Sequence, residues 1–340
     1  MMGKKNATIV DVAKEAGVSV ATVSRVVNGN YPVKPETKVA VSAAIEKLHY
    51  VPNVQARELN QRRSTTIGVV VPSLYNMFFA EVIDGIEAAV RKDKYSLLLN
   101  CAQNDPEQEQ ACIRALVARN VAGLIVISPN TKNLQEDFYK RLADRTPLVF
   151  INGYHDITGA SYVSNDEAGG MRTALTSLRK LGHERILLVR GSHSDSYEVK
   201  ETVYRSFMEE QGCLDEKLIL DIGEGNSVDT VDNTADYLLA RLPEVHPTAV
   251  CCCNDLMAVG ALNACKALEL SVPEDISVMG FDNISMCEMT NPSLSTVEQP
   301  CYQMGELVCR KLIENFTAEN KDSTYYTVAH RIILRESTGD

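Results

Sequence analysis

The stretch SVATVSRVVNGN, residues 19–30, sets Val23, Val26 and Val27 at the spacing of one helical face. That leaves Val20, Ala21, Thr22, Ser24, Arg25 and Asn28 pointing outward. Arg25 is the only long, fork-shaped donor among them. A guanidinium of that shape pairs with guanine O6 and N7 together, worth roughly 1–3 kcal/mol of discrimination against other bases. Val20 and Ala21 can give only apolar contact, of the kind a thymine methyl offers. Thr8, Ser19, Thr22, Ser24 and Asn28 are short donors that suit phosphate oxygens, which fix register without reading sequence. A solvated surface helix carrying one arginine has the same pattern, so the elements around it decide its meaning.

Those elements read as short helices. Thr8 and Asp11 have capping-box spacing, and Ile9, Val12, Ala13 and Ala16 follow on one face. Gly17 suits a helix end because it tolerates positive φ, and Ser19 can cap the helix that follows. Asn28 and Gly29 stop that second helix. Pro35 fits the first turn of a third, marked by Val39, Ala43, Ile45 and Leu48. Three helices with a tight glycine turn between the first two form a helix-turn-helix unit, residues 1–51. Pro52 ends the third helix and Asn53 can cap a short fourth. The polar run from Asn60 to Thr66 reads as a linker, giving a hinge segment of 52–65 and a body of 66–340.

Charge divides at the same place. The net charge of −11 argues at first sight against nucleic acid. Residues 1–63 nevertheless hold ten Lys and Arg against five Asp and Glu, while the remaining 277 hold 24 against 40. A basic head on an acidic body puts phosphate contacts in the head, where local charge governs.

In the body, apolar runs alternate with amphipathic helices at about 25-residue spacing. The runs are 67–71, 95–99, 123–127, 148–151, 185–189, 248–253 and 276–280, and helices are expected at 78–92, 107–119, 168–181, 229–241 and 255–268. Continuous apolar strands, each followed by a helix, indicate parallel sheets covered on both faces. One barrel and two doubly wound domains both satisfy that pattern.

The residues then carry a resemblance. ATIVDVAKEAGVSVATVSRVVNGN and PETKVAVSAAIEKLHYVPNVQARELN look like the head of the lactose/galactose repressor (LacI/GalR) family of bacterial transcription regulators. The likeness continues through TTIGVVVPSLYNMFFAEVIDGIE, VAGLIVIS, LGHERI, PTAVCCCNDLMAVGAL, VPEDISVMGFDN and HRIILRES, over nearly the whole chain. It implies an α/β body like the periplasmic sugar-binding proteins: two doubly wound parallel-sheet subdomains joined by three crossovers, with an effector between them. The first subdomain would take about 66–164 and 297–325, the second about 165–294 and 327–340. It also implies a homodimer, sometimes a tetramer, on a palindromic double-stranded DNA operator. In such proteins paired hinge helices fold in the minor groove. Leu59 stands at the position of the wedging leucine, Ala56 at the contact with the dimer mate, and Asn53 at the start of that helix. Glu58 and Asn60 depart from the small polar and basic residues common beside that leucine, which weakens the local pull on phosphate.

Effectors of open α/β sheets bind beyond the carboxyl ends of the strands. The matching segments here contribute Phe78 and Phe79 for stacking on a ring, Asn254 and Asp282 for hydroxyls, and Ser73 and Asn76 as further contacts; Phe79 can equally be helix core. One departure concerns the arginine with which family members hold a sugar or purine. Val203 stands at its position, and Lys200 and Arg205 lie outside the family register. A sugar-like metabolite is the expected effector, with control by a protein co-regulator as the alternative and a solute-binding module as a remoter one.

Other function classes find no support. There is no GxGxxG, GxxxxGK, GxSxG or HExxH motif, so catalysis is not expected. No cofactor is expected, and no Cys or His pair has zinc spacing. The ten cysteines, three of them consecutive at 251–253, read as buried thiols in a reducing cytosol. The start lacks the apolar core of a signal peptide and no run is long enough to span a bilayer, which points to the cytoplasm and away from membranes.

Overall fold

The computed structural model describes residues 7–29, 31–52, 64–154, 156–316 and 323–339. These fall into two compact units divided between Ser64 and Thr65. Asn53, Ala56 and Leu59 lie outside the described residues.

In the first unit, α1 (Ile9–Ala16) starts in the Thr8/Asp11 capping box and ends at Gly17, whose φ is 67°. Helix α2 (Val20–Asn28) is capped by the Ser19 side chain, which accepts from Thr22 N, and ends at Gly29 with φ 66°. Helix α3 (Pro35–Leu48) begins at its proline. Val12, Ala13, Val23, Val41 and Ala44 form the core, with Ile45 and Leu48 packed against it. On α3, Val39 is 69% exposed and Ala43 is exposed too, while Val41 and Ala44 face the core. Positions 41, 44, 45 and 48 make a cleaner i, i+3, i+4, i+7 stripe than 39, 43, 45 and 48.

The second unit holds two six-stranded sheets. Its elements run β1 (Thr66–Val71), α4 (Met77–Lys92), β2 (Ser96–Cys101), α5 (Pro106–Ala118), β3 (Gly123–Ile127), α6 (Thr131–Gln135), α7 (Phe138–Ala143), β4 (Leu148–Ile151) and β5 (Ala160–Asn165). The chain then continues with α8 (Glu167–Lys180), β6 (Ile186–Arg190), α9 (Asp195–Glu210), β7 (Ile219–Asp221), α10 (Thr230–Val245), β8 (Ala249–Cys252), α11 (Asp255–Ala267), β9 (Ser277–Asp282) and β10 (Ser295–Glu298). It closes with α12 (Cys301–Asn315), β11 (Thr324–Val328) and β12 (Arg331–Ile333). The sheet orders are β11-β5-β4-β3-β1-β2 and β12-β10-β9-β8-β6-β7. Every pairing is parallel except β10 with β12. These are two doubly wound sheets, which settles the choice against a barrel.

The chain passes between the sheets three times, and two crossings fall later than expected. β10 pairs with β9 from Ser295–Met279 to Glu298–Asp282, so it belongs wholly to the second sheet and the crossing lies at Gln299 and Pro300. β11 pairs with β5 through Val328–Asn165, which places the last crossing at 329–330. In both cases ladder hydrogen bonds hold the strand to its sheet for a few residues beyond the expected break.

Helix α12 lies against α4 at a distance only glycine permits. A Cβ on Gly85 would sit 2.0 Å from the Tyr302 carbonyl oxygen, and one on Gly305 2.1 Å from that of Val82. Backbone cannot yield as a side-chain tip can, so Gly85→Ala should cost about 1–3 kcal/mol in urea unfolding of the full chain. An unchanged midpoint and slope would show that the helices part freely.

Candidate functional site

On the reading head, Val20, Ala21 and Arg25 are exposed, while Thr22, Ser24 and Asn28 are half-covered. The short polar side chains serve the helices first. Thr8 Oγ1 donates to Asp11 Oδ2 at 2.7 Å, Ser19 Oγ lies 2.9 Å from Thr22 Oγ1, and Asn28 Nδ2 donates to Ser24 Oγ at 3.1 Å. Each hydroxyl keeps lone-pair or donor capacity beyond the contact it makes. Arg25 has no carboxylate partner among the described residues. Its guanidinium instead lies 5.4 Å from the ring centroid of Tyr31, an exposed residue that the sequence reading did not single out. That contact holds the fork near one place without spending its hydrogen bonds.

In the body, strand order marks the ligand crevice. Within each sheet the winding reverses between neighbouring strands, β1 and β3 in one, β6 and β8 in the other. The loops after such a pair diverge and leave a gap at the carboxyl ends. Asn76 and Ser128 from the first sheet, with Ser194, Cys253 and Asn254 from the second, line a cavity of about 360 Å³. Phe78, Phe79, Tyr197, Lys200, Asn226, Asp282 and Gln299 also border it. A second cavity of about 440 Å³ shares Ser128, Ser194 and Asn226 and adds Glu109, His193 and Glu224. Both spaces are open to solvent. Ser128, Asn152, His193 and Asp282 have φ of 45°, 54°, 62° and 122°, each costing of order 1–3 kcal/mol.

Five of the six expected effector residues line the first cavity, and several are already engaged. Asn76 caps α4 through Oδ1, which accepts from Phe78 N at 3.0 Å, while its Nδ2 donates to Asn226 Oδ1 at 2.9 Å across the cleft. Asn254 caps α11 and donates to the Gly225 carbonyl at 2.8 Å. Phe78 and Phe79 meet edge-on, centroids 5.4 Å apart, and both are buried; they are core and cleft wall at once. Ser73 does not border either cavity, because its hydroxyl accepts from Tyr75 N at 3.1 Å within the turn. Thr131 Oγ1 to Asp195 Oδ1 at 2.7 Å and Ser285 N to Glu81 Oε1 at 3.3 Å add two more bonds between the subdomains.

The cation of the cleft is Lys200. It precedes Val203 by three residues and so shares its face of α9. At 2% exposure, its Nζ donates to the Cys253 carbonyl at 3.0 Å and to Ser196 Oγ at 3.1 Å, and lies 3.4 Å from Glu167 Oε1. It sits 4.0 Å from the Phe281 ring centroid. Burial pulls its pKa down, but the pull of Glu167 and then Asp282 outweighs it, so the ammonium is held above its ordinary value. Glu167 also accepts from Ser196 at 2.7 Å and from the Tyr154 hydroxyl, which comes from the first subdomain. Burial drives Asp282 well above the carboxylate range against the pull of Lys200. Gln299 Nε2 donates to it at 2.6 Å. Lys200 and Gln299 were both missed as site residues. The one-turn offset of Lys200 from Val203 was the available signal; Gln299 had none. Arg205 points elsewhere, bonded to Glu201 and Glu216.

The described cysteines are all unpaired, seven of them buried, and burial pushes the Cys253 thiol up to about 12. Among the described residues no group of His, Cys, Asp and Glu is placed to hold a metal ion, and no helix is long and apolar enough to cross a membrane.

Known proteins show the same plan. The lacI family model of bacterial regulatory proteins matches residues 8–53, and the periplasmic binding protein-like domain matches 175–338. Catabolite control protein A of Priestia megaterium is 34% identical over 337 residues, covering 98% of this chain and 99% of that protein. The HTH-type transcriptional repressor PurR of Vibrio vulnificus (strain CMCP6) is 34% identical, covering 97% and 98%. The crystal structure of the lac repressor dimer bound to operator and the anti-inducer ONPF matches with a TM-score of 0.84 at 25% identity, covering 99% of this chain and 100% of that one. A helix-turn-helix head with a two-sheet, periplasmic-binding-protein-like body defines a DNA-binding transcription regulator. The chain belongs to the lacI family of bacterial regulatory proteins.

The Lys200 network sets a stability test. Lys200→Met strands Glu167 as a buried charge without its cation and should cost about 3–5 kcal/mol in chemical denaturation at neutral pH. Adding Glu167→Gln should recover much of that loss. A neutral single variant would mean that water, not Lys200, balances Glu167.

Proposed function

We propose that the protein binds a palindromic operator as a cytoplasmic homodimer, reading bases with Val20, Ala21 and Arg25. Thr8, Ser19, Thr22, Ser24 and Asn28 hold phosphates, and the hinge residues Asn53, Ala56 and Leu59 act in the minor groove. A small polar metabolite in the body's cleft sets the operator affinity. The observation that carries this reading is that residues from the switch points of both sheets line one cavity. A ligand there touches both subdomains, so it favours one relative orientation over another and shifts the equilibrium by its difference in affinity for the two. Asn76, Phe78, Phe79, Asn254 and Asp282 are its contacts in this reading, with Ser73 shaping the turn.

Selection of operators from a random DNA library, followed by titration of the selected site, tests the DNA half. Arg25→Ala should weaken the selected site by roughly 1–3 kcal/mol, about ten- to a hundredfold, and leave random DNA nearly unaffected. Equal losses on both would remove the base-reading role. Leu59→Ala should reduce the bend measured by circularly permuted fragments, at unchanged body stability; an unaltered bend would sink the wedge. A thermal-shift screen tests the metabolite half, since a ligand at 100 times its Kd adds about 2.7 kcal/mol to the folded state.

A further inference from the structure

We propose that the ligand of this cleft is a hydroxylated amine, such as an amino sugar, with its ammonium in the half bounded by Glu109 and Glu224. The proposal rests on the cleft being the effector site and adds the charge of the effector.

The first argument is the disposition of charge. Among the described residues, Lys200 is the one lysine or arginine bordering either cavity. Its ammonium is already turned to Glu167, Ser196, the Cys253 carbonyl and the Phe281 ring. Four carboxyl groups border the same space: Glu167 and Asp282 near Lys200, Glu109 and Glu224 in the adjoining cavity. Lys200 balances Glu167, and burial drives Asp282 toward its neutral form, so Glu109 and Glu224, with His193 beside them, set the charge that an entering phosphate or carboxylate meets. The same two carboxylates attract an ammonium.

The second argument is the pairing of the two outlying carboxylates. Glu109 accepts from Asn133 Nδ2 and Tyr139 Oη at 2.7 Å each and from Asn130 N at 2.9 Å. Glu224 accepts from Asn226 N at 2.7 Å. These donors are neutral, and among the described residues no lysine or arginine pairs with either carboxylate; His193 borders the same cavity and its charge acts on Glu224. Burial pushes Glu109 upward against those hydrogen bonds, and partial desolvation does the same for Glu224 at the rim against its backbone hydrogen bonds and the charge of His193, a shift that a bound cation reverses.

A third observation is independent of the acids. Gln299 is 4% exposed and borders the first cavity. Its Nε2 is given to Asp282, and its Oε1 is buried without a partner. A buried acceptor left open calls for a donor, and ligand hydroxyls or N–H groups are donors where phosphate and carboxylate oxygens are not. The walls of Phe78, Phe79 and Tyr197 suit the apolar face of a ring.

The test compares matched probes on the full chain by calorimetry: glucose, galactose and mannose, their 2-amino-2-deoxy forms, and their 6-phosphates. At least one amino form should bind tenfold or more tightly than its parent, and its parent should bind more tightly than the phosphate. Glu224→Gln, a substitution at the rim, should bring the amino-to-parent ratio close to one at unchanged Tm. Parent and amino forms binding alike, or a phosphate binding best, overturns the amine while leaving the cleft as the effector site. Binding by none of the nine overturns the hydroxylated amine as well, and the selected operator still reports separately on the DNA reading.

Discussion

An ammonium group inside a protein has to be paired, and that requirement organises the body of this regulator. Lys200 is buried at the base of the cleft, and the groups that satisfy it come from several elements: Ser196 from its own helix, the Cys253 carbonyl from the end of β8, and Glu167 from the start of α8. Glu167 in turn takes the hydroxyl of Tyr154, a residue of the other subdomain. The pairing of one cation therefore fixes the positions of two helix starts and a strand end, and ties the two sheets together. Three further hydrogen bonds between the subdomains, at Asn76, Thr131 and Glu81, keep the same arrangement. A ligand that changes the cleft has to work against or with these bonds, which gives it leverage on the angle between the sheets.

The strand ends show what that arrangement costs. Several cleft residues hold backbone conformations that glycine would take with ease, yet the chain places Ser128, Asn152, His193 and Asp282 there. Only side chains with polar atoms can face a hydrophilic ligand, so the strain accompanies the chemistry. The capping asparagines follow the same logic. Asn76 and Asn254 end the loops after β1 and β8 by holding the first turns of α4 and α11. That fixes their amide groups at the rim before any ligand arrives.

How far the sequence disclosed this depends on the range of the interactions involved. Helix caps are local, and Thr8 and Ser19 stand where their types placed them. The seven apolar runs are strands, because an unbroken apolar stretch leaves a signal within five residues. Strands β5, β7, β10, β11 and β12 escaped, since ASYVSN, ILD, STVE, TYYTV and RII are short, polar or flanked by turns. Pairing partners far along the chain define them. Lys200 was discounted for lying one turn from a family position, an error of treating register as geometry, since a long side chain spans a helical turn. Gln299 carries no local mark at all. Its place follows from the crossing after β10, which itself fell beyond the expected residue.

The threading of the chain through both sheets bears on how it is made. The first sheet takes its edge strand from residues 324–328, and α12 covers it from residues 301–315. The second receives β12 only at 331–333. Neither half is complete while most of the polypeptide is still being synthesised, in contrast to domains that fold in turn as they leave the ribosome. At about 5–20 residues per second, the body spends many seconds with apolar strands awaiting partners from residues 324–333. The reading head, whose contacts all lie within the first few dozen residues, is under no such delay.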